Sequence, residues 1–171
     1  MTEPNAFNHY YAEHAKLIVS SFYQLTGQHL IAPNTNEVQR YRDLYHAPFG
    51  VLSHNTFSDP IFNYGNLTAL KLFAMTWDAL VQLPSRLSAE PIEQKERQRL
   101  LTQVAEQGFV DDFQGIRIAA TGQRFQVEKA TVWNLIDTEG TLRGQAVALF
   151  KWSMLPCWWS GFKHSKESRQ R

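Results

Sequence analysis

The last third of the chain alternates between apolar and polar side chains over three segments, and this pattern constrains the fold most. The segments are residues 115–119, 124–136 and 142–152, which are rich in β-branched and aromatic side chains. Such residues favour strands. Short turn sequences separate the segments, first Thr121-Gly122 and then Asp137-Thr-Glu-Gly140. Strands joined by short turns pair antiparallel, so the pattern predicts two β-hairpins in series.

The period of two also assigns side chains to the faces of these strands. Phe125 and Trp133 are predicted to share one face of the middle strand, unless a bulge interrupts the alternation. In the final strand Gly144, Ala146 and Ala148 share one face. Small side chains let a helix or a ligand approach a sheet closely, and helix-on-sheet packing is the favoured interpretation.

Two short strands and a helical region are predicted upstream of the hairpins. Residues 49–54 and 61–64 are short apolar stretches on either side of the turn signal Asp59-Pro60. Asn66 suits a helix N-cap, because its side-chain oxygen can accept from backbone N–H groups of the next turn. Residues 67–83 then repeat apolar side chains at helical spacing, as one helix or two pieces. This order predicts a small sheet with helices over one face.

A further helix is predicted to begin at Ser88 or Glu90 and to end at Gly108. Its charged face places Glu93 four residues before Arg97, the favourable order for an exposed ion pair of about 0.3–0.5 kcal/mol. We expect this face to be solvated. The apolar residues of its predicted buried stripe are Ile92, Leu100, Leu101 and Val104.

The N-terminal part predicts an amphipathic helix over residues 7–25, with Gly27 as its C-cap. Its apolar stripe suits packing on the sheet of its own domain or on the same helix of a second copy, and the stripe alone does not separate these. A turn around Pro33 precedes a short helix over residues 37–45. The chain therefore divides into an N-terminal helix and linker (1–36), a core domain (37–155) and a C-terminal tail (156–171).

Composition narrows the classes of partner. The 171 residues are 43% hydrophobic, enough for one substantial core, and their formal charge of +1 gives no electrostatic sign of nucleic-acid binding. The single cysteine, Cys157, forbids an internal disulfide and fits a reducing compartment. The N-terminus lacks the pattern of a secretory leader, and no run reaches 18 apolar residues. We expect a cytoplasmic protein that binds no nucleic acid.

The tail is aromatic and then basic. Trp158, Trp159 and Phe162 precede a stretch in which basic residues outnumber acidic ones. Such a segment suits a membrane surface or a partner. It also suits packing of the tryptophans on the sheet with a disordered basic end, which is the favoured interpretation, so membrane contact is not expected.

Several short strings stand in a fixed order along the chain, among them DPIFNYGN, LFAMTWDAL, LPSRLSAEP, VWNLIDTEG and GQAVALFKW. Over about residues 45–155 the chain resembles the MEKHLA domain, which is itself similar to PAS domains. The resemblance implies an α+β, PAS-like fold: a five-stranded antiparallel sheet with helices packed on one face, here with the N-terminal amphipathic helix added. It implies no particular activity, because PAS-like domains bind diverse ligands or other proteins.

This sequence lacks, at the usual positions, the residues that bind the cofactors of characterised PAS domains. A flavin photosensor of the light-oxygen-voltage type needs a reactive cysteine on a helix, whereas Cys157 follows the last predicted strand. Haem commonly uses a histidine on the helix before the last three strands, and residues 90–107 contain none. His9, Glu13 and His14 do not form the H-E-x-x-H metal motif. The cofactor stays unknown, and no metal site is predicted.

Motifs of catalysis are also missing. The sequence has no G-x-S-x-G elbow and no glycine-rich phosphate loop. Asp111 and Asp112 are expected in an exposed turn between helix and strand. Catalysis would need a pocket lined by groups such as His54, Asp59 and Arg117, with pKa values shifted by burial. We expect a non-catalytic protein.

Six residues are candidate ligand contacts, because they are expected to point between the helices and the sheet. Aromatic walls with a few polar groups suit a small organic ligand, and an arginine suits a carboxylate or phosphate. Core packing is the alternative role for the tryptophans, and capping is the alternative for the asparagine. The six are Tyr64, Asn66, Trp77, Arg117, Trp133 and Trp152.

Together these features predict a PAS-like sensory or small-ligand-binding module. Its signal is expected to pass to a protein partner or through a homodimer formed by the N-terminal helix. The alternative is a protein-protein interaction or dimerisation module with no small ligand.

Overall fold

The computed structural model describes residues 2–157, and their core is one antiparallel sheet. Its strands are β1 (Gly50–His54), β2 (Phe62–Gly65), β3 (Phe109–Ile118), β4 (Arg124–Ile136) and β5 (Leu142–Met154). The helices are α1 (Ala12–Thr26), α2 (Glu37–Tyr45), α3 (Leu67–Leu72), α4 (Trp77–Leu80) and α5 (Pro91–Gln107), with 3-10 turns at Ala6–Asn8 and Ser85–Ser88. The strand order is β2-β1-β5-β4-β3. The five-stranded antiparallel sheet and both predicted hairpins are confirmed.

Strand β3 begins earlier than predicted, because a bulge admits polar residues into it. Its register with β4 is irregular between Val110 and Phe113, and Asp112 has a φ of 57°. A bulge accommodates an extra residue while pairing continues on either side. Asp111 and Asp112 therefore lie inside a strand and not in the expected turn, although both are exposed as expected.

Helices α1 and α5 cover opposite faces of the sheet. Val132 packs with Leu100 and Val104 of α5. The next residue, Trp133, meets Phe22 of α1 edge to face, with ring centroids 4.9 Å apart. Neighbouring residues on a strand point to opposite faces. The apolar stripe of α1 is therefore buried against its own sheet, the first of the two roles that the sequence left open.

Hydrogen bonds also fasten α1 to β4. The Ser21 hydroxyl donates to the Ile136 carbonyl at 3.0 Å and accepts from the Ile136 N–H at 2.9 Å. Ser21 is fully buried, as are Ala15 and Ile18 on the same stripe. A dimer would therefore have to use a surface other than this stripe.

A bulge does interrupt the alternation of side chains along β4, so Phe125 and Trp133 do not share a face. The register of β4 with β5 shifts around Lys129. Before the shift, Phe125 meets Phe73 at 5.1 Å between ring centroids, and Phe73 lies on the α5 side. After it, Trp133 meets α1. An irregularity at one residue reverses the alternation for the rest of the strand.

A partly buried chain of polar side chains links α1 to the sheet. His14 Nε2 lies 2.8 Å from the Ser53 hydroxyl, which donates to Asn63 Oδ1 at 2.6 Å. Because the single hydroxyl hydrogen of Ser53 is used there, His14 donates through Nε2. The ring of Tyr64 lies beside the imidazole, with centroids 5.8 Å apart. No carboxylate forms an ion pair with His14 in the part of the chain that the structure describes.

Acid is expected to destabilise the fold through His14. Burial lowers the pKa of His14 from 6.5 to about 4. Between these values the unfolded chain binds a proton that the folded chain does not, so stability is complete above pH 6.5 and is lost as the pH falls towards 4. Chemical denaturation should show a loss of about 2 kcal/mol between roughly pH 7.5 and pH 5. His14→Gln should lose clearly less over that interval, and an equal loss in the variant would contradict this origin.

None of the helices in residues 2–157 combines the length and the hydrophobicity that a membrane-spanning helix requires. The tryptophans and basic residues of the tail lie outside the described residues, whereas Cys157 is described and exposed. The predicted membrane and packing roles of that tail therefore stay predictions.

Candidate ligand-binding site

A cavity of about 60 Å³ lies between α5 and the sheet. One water needs roughly 10–15 Å³ of such space, so the cavity can hold about four to six non-hydrogen atoms. A few polar groups, described below, break an otherwise apolar wall. The main apolar residues of the wall are Leu52, Phe62, Phe73, Leu100, Phe113, Val132, Val147 and Leu149.

Helix α5 carries the first charged group into this cavity. Pro91 at the first helical turn begins the helix, and Arg97 lies three residues before Leu100 and seven before Val104, so all three share one face. Arg97 is 8% exposed, and its Nη2 donates to the Ser85 hydroxyl at 2.7 Å. The predicted solvated position of Arg97 is therefore wrong, because helical spacing places it on the inner face.

The outer and inner faces of α5 differ from prediction at one more position. Ile92, predicted in the buried stripe, is 77% exposed, whereas Leu100 and Val104 are buried. Glu93 forms no ion pair with Arg97 within the described residues. The charged run 93–99 thus contains one arginine, Arg97, that faces inward. The spacing of Arg97 from Leu100 is the sequence signal that could have indicated this position.

Strand β3 supplies a second arginine. Arg117 is 9% exposed, and its guanidinium lies over the Phe113 ring at 5.1 Å from the centroid. Its Nη1 donates to the Ile116 carbonyl at 2.8 Å. Arg117 lines the cavity, as does Arg97. The alternative solvent-facing position considered for Arg117 does not occur.

Both guanidinium groups stay charged although burial opposes the charge. Burial, and then repulsion by Arg117, lowers the pKa of Arg97 to about 10. Burial lowers the pKa of Arg117 to about 10, while Glu93 opposes that shift. These values lie well above neutral pH, so the cavity wall carries two positive charges.

Strand β1 contributes a histidine with one unused nitrogen. His54 Nδ1 lies 2.8 Å from the Asn55 carbonyl, so Nδ1 carries the hydrogen and Nε2 is an acceptor. His54 Nε2 is buried and has no hydrogen-bond partner within residues 2–157. Burial is the main cause that lowers the pKa of His54, and the nearby Arg97 adds to it. The imidazole is therefore neutral at pH 7.

The predicted ligand contacts do not converge on this cavity. Of the six, Arg117 lines it. Tyr64 and Trp133 are fully buried on the α1 side of the sheet. Trp77 packs edge to face against Tyr64 and Tyr11. Trp152 is half-buried on β5, where it pairs with Val127.

Asn66 has a structural role. It caps α3 by accepting from the Ala69 N–H at 3.1 Å, as the sequence predicted. Its side chain also hydrogen-bonds to the backbone of Val51 in β1 and to the carbonyls of Leu44 and Phe49, which precede that strand. Asp59, named with His54 and Arg117 for any catalysis, instead pairs with Arg86 in an exposed contact at 3.2 Å.

An open groove lies between α5 and the loop after β1, and it adjoins the cavity. Phe57 and Leu142 lie in this groove with 62% and 42% of their surface exposed. Three residues line both the groove and the cavity: His54, Leu101 and Gln145. Gln145 donates to the Leu101 carbonyl at 3.0 Å and so ties β5 to α5.

Metal binding has no preformed cluster in the described region. Residues 2–157 contain no group of three or more histidine, cysteine, aspartate or glutamate side chains placed to hold a metal ion. The polar groups of the cavity are arginine, histidine, serine and glutamine. Arginine offers hydrogen-bond donors and no lone pair, so this set suits an organic ligand better than a cation.

Solved PAS domains have the same fold. A PAS domain from Colwellia psychrerythraea superimposes with a TM-score of 0.57 at 11% identity, over 64% of this chain and 91% of that chain. A light-oxygen-voltage domain studied with a flavin analogue gives 0.53 at 14% identity, over 68% and 84%. The PAS domain of a LuxR-family transcriptional regulator from Burkholderia thailandensis, in complex with ethanol, gives 0.50 at 18% identity, over 67% and 95%.

Family membership rests on sequence as well as on fold. No curated protein matches this chain. The family model of the MEKHLA domain matches residues 12–154, which include α1 and all of the sheet. The match covers most of the 171 residues, and the structure has the PAS-like sheet that the resemblance implied. The chain belongs to the MEKHLA domain family.

Proposed function

We propose that this chain is a non-catalytic, PAS-like sensory module of the cytoplasm that holds a small organic ligand between α5 and the sheet. The observation that carries the proposal is a largely apolar cavity whose wall includes a buried, unpartnered His54 Nε2. Buried polar groups are ordinarily hydrogen-bonded. An unused acceptor beside space for several atoms is typical of a ligand site.

The size of the cavity limits the ligand class. Sites for larger organic ligands usually measure about 300–1,000 Å³, whereas this one measures about 60 Å³. A flavin or a haem does not fit such a space. The similar PAS domain that was solved in complex with ethanol holds a molecule of three non-hydrogen atoms. This is smaller than the cavity of this chain allows, and it supports a small ligand here.

The groove beside the cavity is the proposed output surface. Phe57 and Leu142 expose apolar surface there, and apolar surface of this kind favours protein contacts. Because His54, Leu101 and Gln145 line both spaces, a ligand that moves them changes the groove. The signal would then pass to a protein partner or to a second copy of the chain.

The second candidate is a protein-interaction or dimerisation module with no small ligand. The same groove favours it, since docking there needs no occupied cavity. The two functions differ in one measurable property. Only the sensory module binds a small molecule in a way that depends on the cavity.

A cavity-filling variant tests the proposal. Molecules of about four to six non-hydrogen atoms, neutral and charged, are screened by thermal denaturation against the wild type and Val147→Phe. A ligand at about 100 times its Kd stabilises by about 2.7 kcal/mol, which raises Tm by roughly 5–10 °C in a chain of this length. We expect at least one such rise in the wild type and none in Val147→Phe, whose ring occupies the cavity.

Val38→Phe is the matched control, because the same change is made at a residue 39% exposed on α2. It should respond to the ligand as the wild type does. If no compound separates the wild type from Val147→Phe, the sensory proposal is wrong. A stable dimer by native mass spectrometry would in that case favour the interaction module.

A further inference from the structure

Two positive charges line one small cavity without a paired negative charge. Neither Arg97 nor Arg117 forms an ion pair with a carboxylate in residues 2–157. Asp59 and Glu93 favour the charged forms only from beyond ion-pair distance. Burying charge without a partner is costly, and two like charges near each other add to that cost. An anion between them would remove much of this cost.

The guanidinium groups retain donors for such an anion. Each guanidinium carries five N–H donors in a planar fork that matches a carboxylate. Arg97 uses Nη2 on the Ser85 hydroxyl, and Arg117 uses Nη1 on the Ile116 carbonyl. No other hydrogen bond occupies either group among the described residues. The remaining donors have no acceptor in the part of the protein that the structure describes, and they can meet ligand oxygens.

The rest of the wall selects among anions. It is built mainly from leucine, valine and phenylalanine side chains. Phosphate and sulfate carry oxygens on every side, so part of their polar surface would be left unpaired against this wall. A short-chain carboxylate carries its oxygens at one end and an apolar chain at the other. It therefore matches both parts of the cavity.

We infer that the cavity is a receptor site for a short-chain monocarboxylate of about four to six non-hydrogen atoms, held by Arg97 and Arg117 with its alkyl chain against the apolar wall. This inference rests on the proposed function and specifies its ligand class. The unpartnered His54 Nε2 lies in the same wall. His54 is neutral in the free protein, but an anion bound beside it favours the protonated imidazole, and protonation would turn this acceptor into a third donor to the carboxylate.

Propionate and propionamide form the decisive pair of probes, because they have nearly the same shape and differ in charge. Binding is measured by calorimetry and thermal denaturation at constant ionic strength, with inorganic phosphate as a third probe. We expect propionate to bind at least about tenfold more tightly than propionamide or phosphate, since charge-assisted hydrogen bonds are the stronger ones.

Arg117→Met tests the proposed contact, since methionine keeps much of the apolar stem and removes the charge. Propionate affinity should fall about 10- to 100-fold, while the free variant should be at least as stable as the wild type because an unpaired buried charge is gone. Arg97→Met is the second variant. Arg99→Met is the control, because Arg99 lies on the same helix in an exposed pair with Glu96 and should leave affinity unchanged.

The outcomes separate the two proposals. Equal binding of propionate and propionamide, lost in Val147→Phe, overturns the carboxylate class while the sensory proposal stands. Tighter binding of phosphate than of propionate also overturns it. If the Arg117 variant does not fold, the propionate and propionamide comparison in the wild type still decides. If none of the three probes binds, the carboxylate inference is wrong, and the wider screen against Val147→Phe decides the sensory proposal.

Discussion

Replacing Gly144 by alanine is expected to lower the free energy of unfolding by more than about 4 kcal/mol, enough to leave much of the chain unfolded. Gly144 has a φ of 150°, and a Cβ there would overlap the carbonyl oxygen of His54 and lie 3.1 Å from its carbonyl carbon. Both obstructing atoms are backbone, so no side chain can move aside. Strands β1 and β5 would have to separate where they begin to pair.

Gly140→Ala is the matched control for this change. Gly140 also has a positive φ, 80°, but a Cβ there would meet no atom within 4 Å. Its expected cost is the backbone strain alone, about 1–2 kcal/mol. Urea denaturation followed by circular dichroism compares the two variants. Similar losses in both would show that close approach of the β1 backbone is not what requires glycine at position 144.

Asn66→Ala is expected to cost about 3–5 kcal/mol, far more than the loss of an ordinary helix cap. Asn66 is fully buried. Its Oδ1 accepts from the N–H groups of Val51 and Ala69 at 2.8 and 3.1 Å. Its Nδ2 donates to the carbonyls of Leu44 and Phe49 at 3.1 and 2.8 Å. Alanine would remove these acceptors from the Val51 and Ala69 N–H groups and this donor from the Phe49 carbonyl, while the Leu44 carbonyl would keep only the bond from the Ala47 N–H at 3.3 Å.

Thr76→Ala measures a cap without that burial. The Thr76 hydroxyl accepts from the Ala79 N–H at 3.2 Å in an exposed turn at the start of α4. Water can replace it there, so the expected loss is about 1 kcal/mol. Denaturation of both variants under the same conditions gives the comparison. A loss in Asn66→Ala no larger than in Thr76→Ala would mean that its bonds to α2 and β1 contribute little.

Asn66 and Gly144 illustrate what the local sequence can predict. The N-cap at Asn66 was predictable, because capping depends on the residues that immediately follow. Its bonds to Leu44 and Phe49 were not, because those carbonyls come from a segment about twenty residues earlier. Gly144 was predicted to admit a helix or a ligand to the sheet. In the tertiary structure the neighbour that comes close to Gly144 is instead the backbone of β1 at His54.

The candidate site was less predictable than the fold. His54, Arg97 and Arg117 come from β1, α5 and β3, and nothing in a single segment indicates that they meet. Arg117 was predicted as a ligand contact, whereas Arg97 was placed in solvent and His54 was considered only for catalysis. Trp133 was predicted beside the ligand, and the bulge in β4 accompanies its position on the α1 face.

The sequence by itself determined the strands, the helices and their order, because burying one face of an element imposes a repeat of two or 3.6 residues that can be read locally. It also determined the family, since ordered strings of residues carry that resemblance. Only the tertiary structure decided which side chains meet. The bulge near Lys129 accompanies the change of face along β4, and the cavity joins charges that are distant in the chain. Such contacts depend on register and on packing between elements, which no local pattern contains.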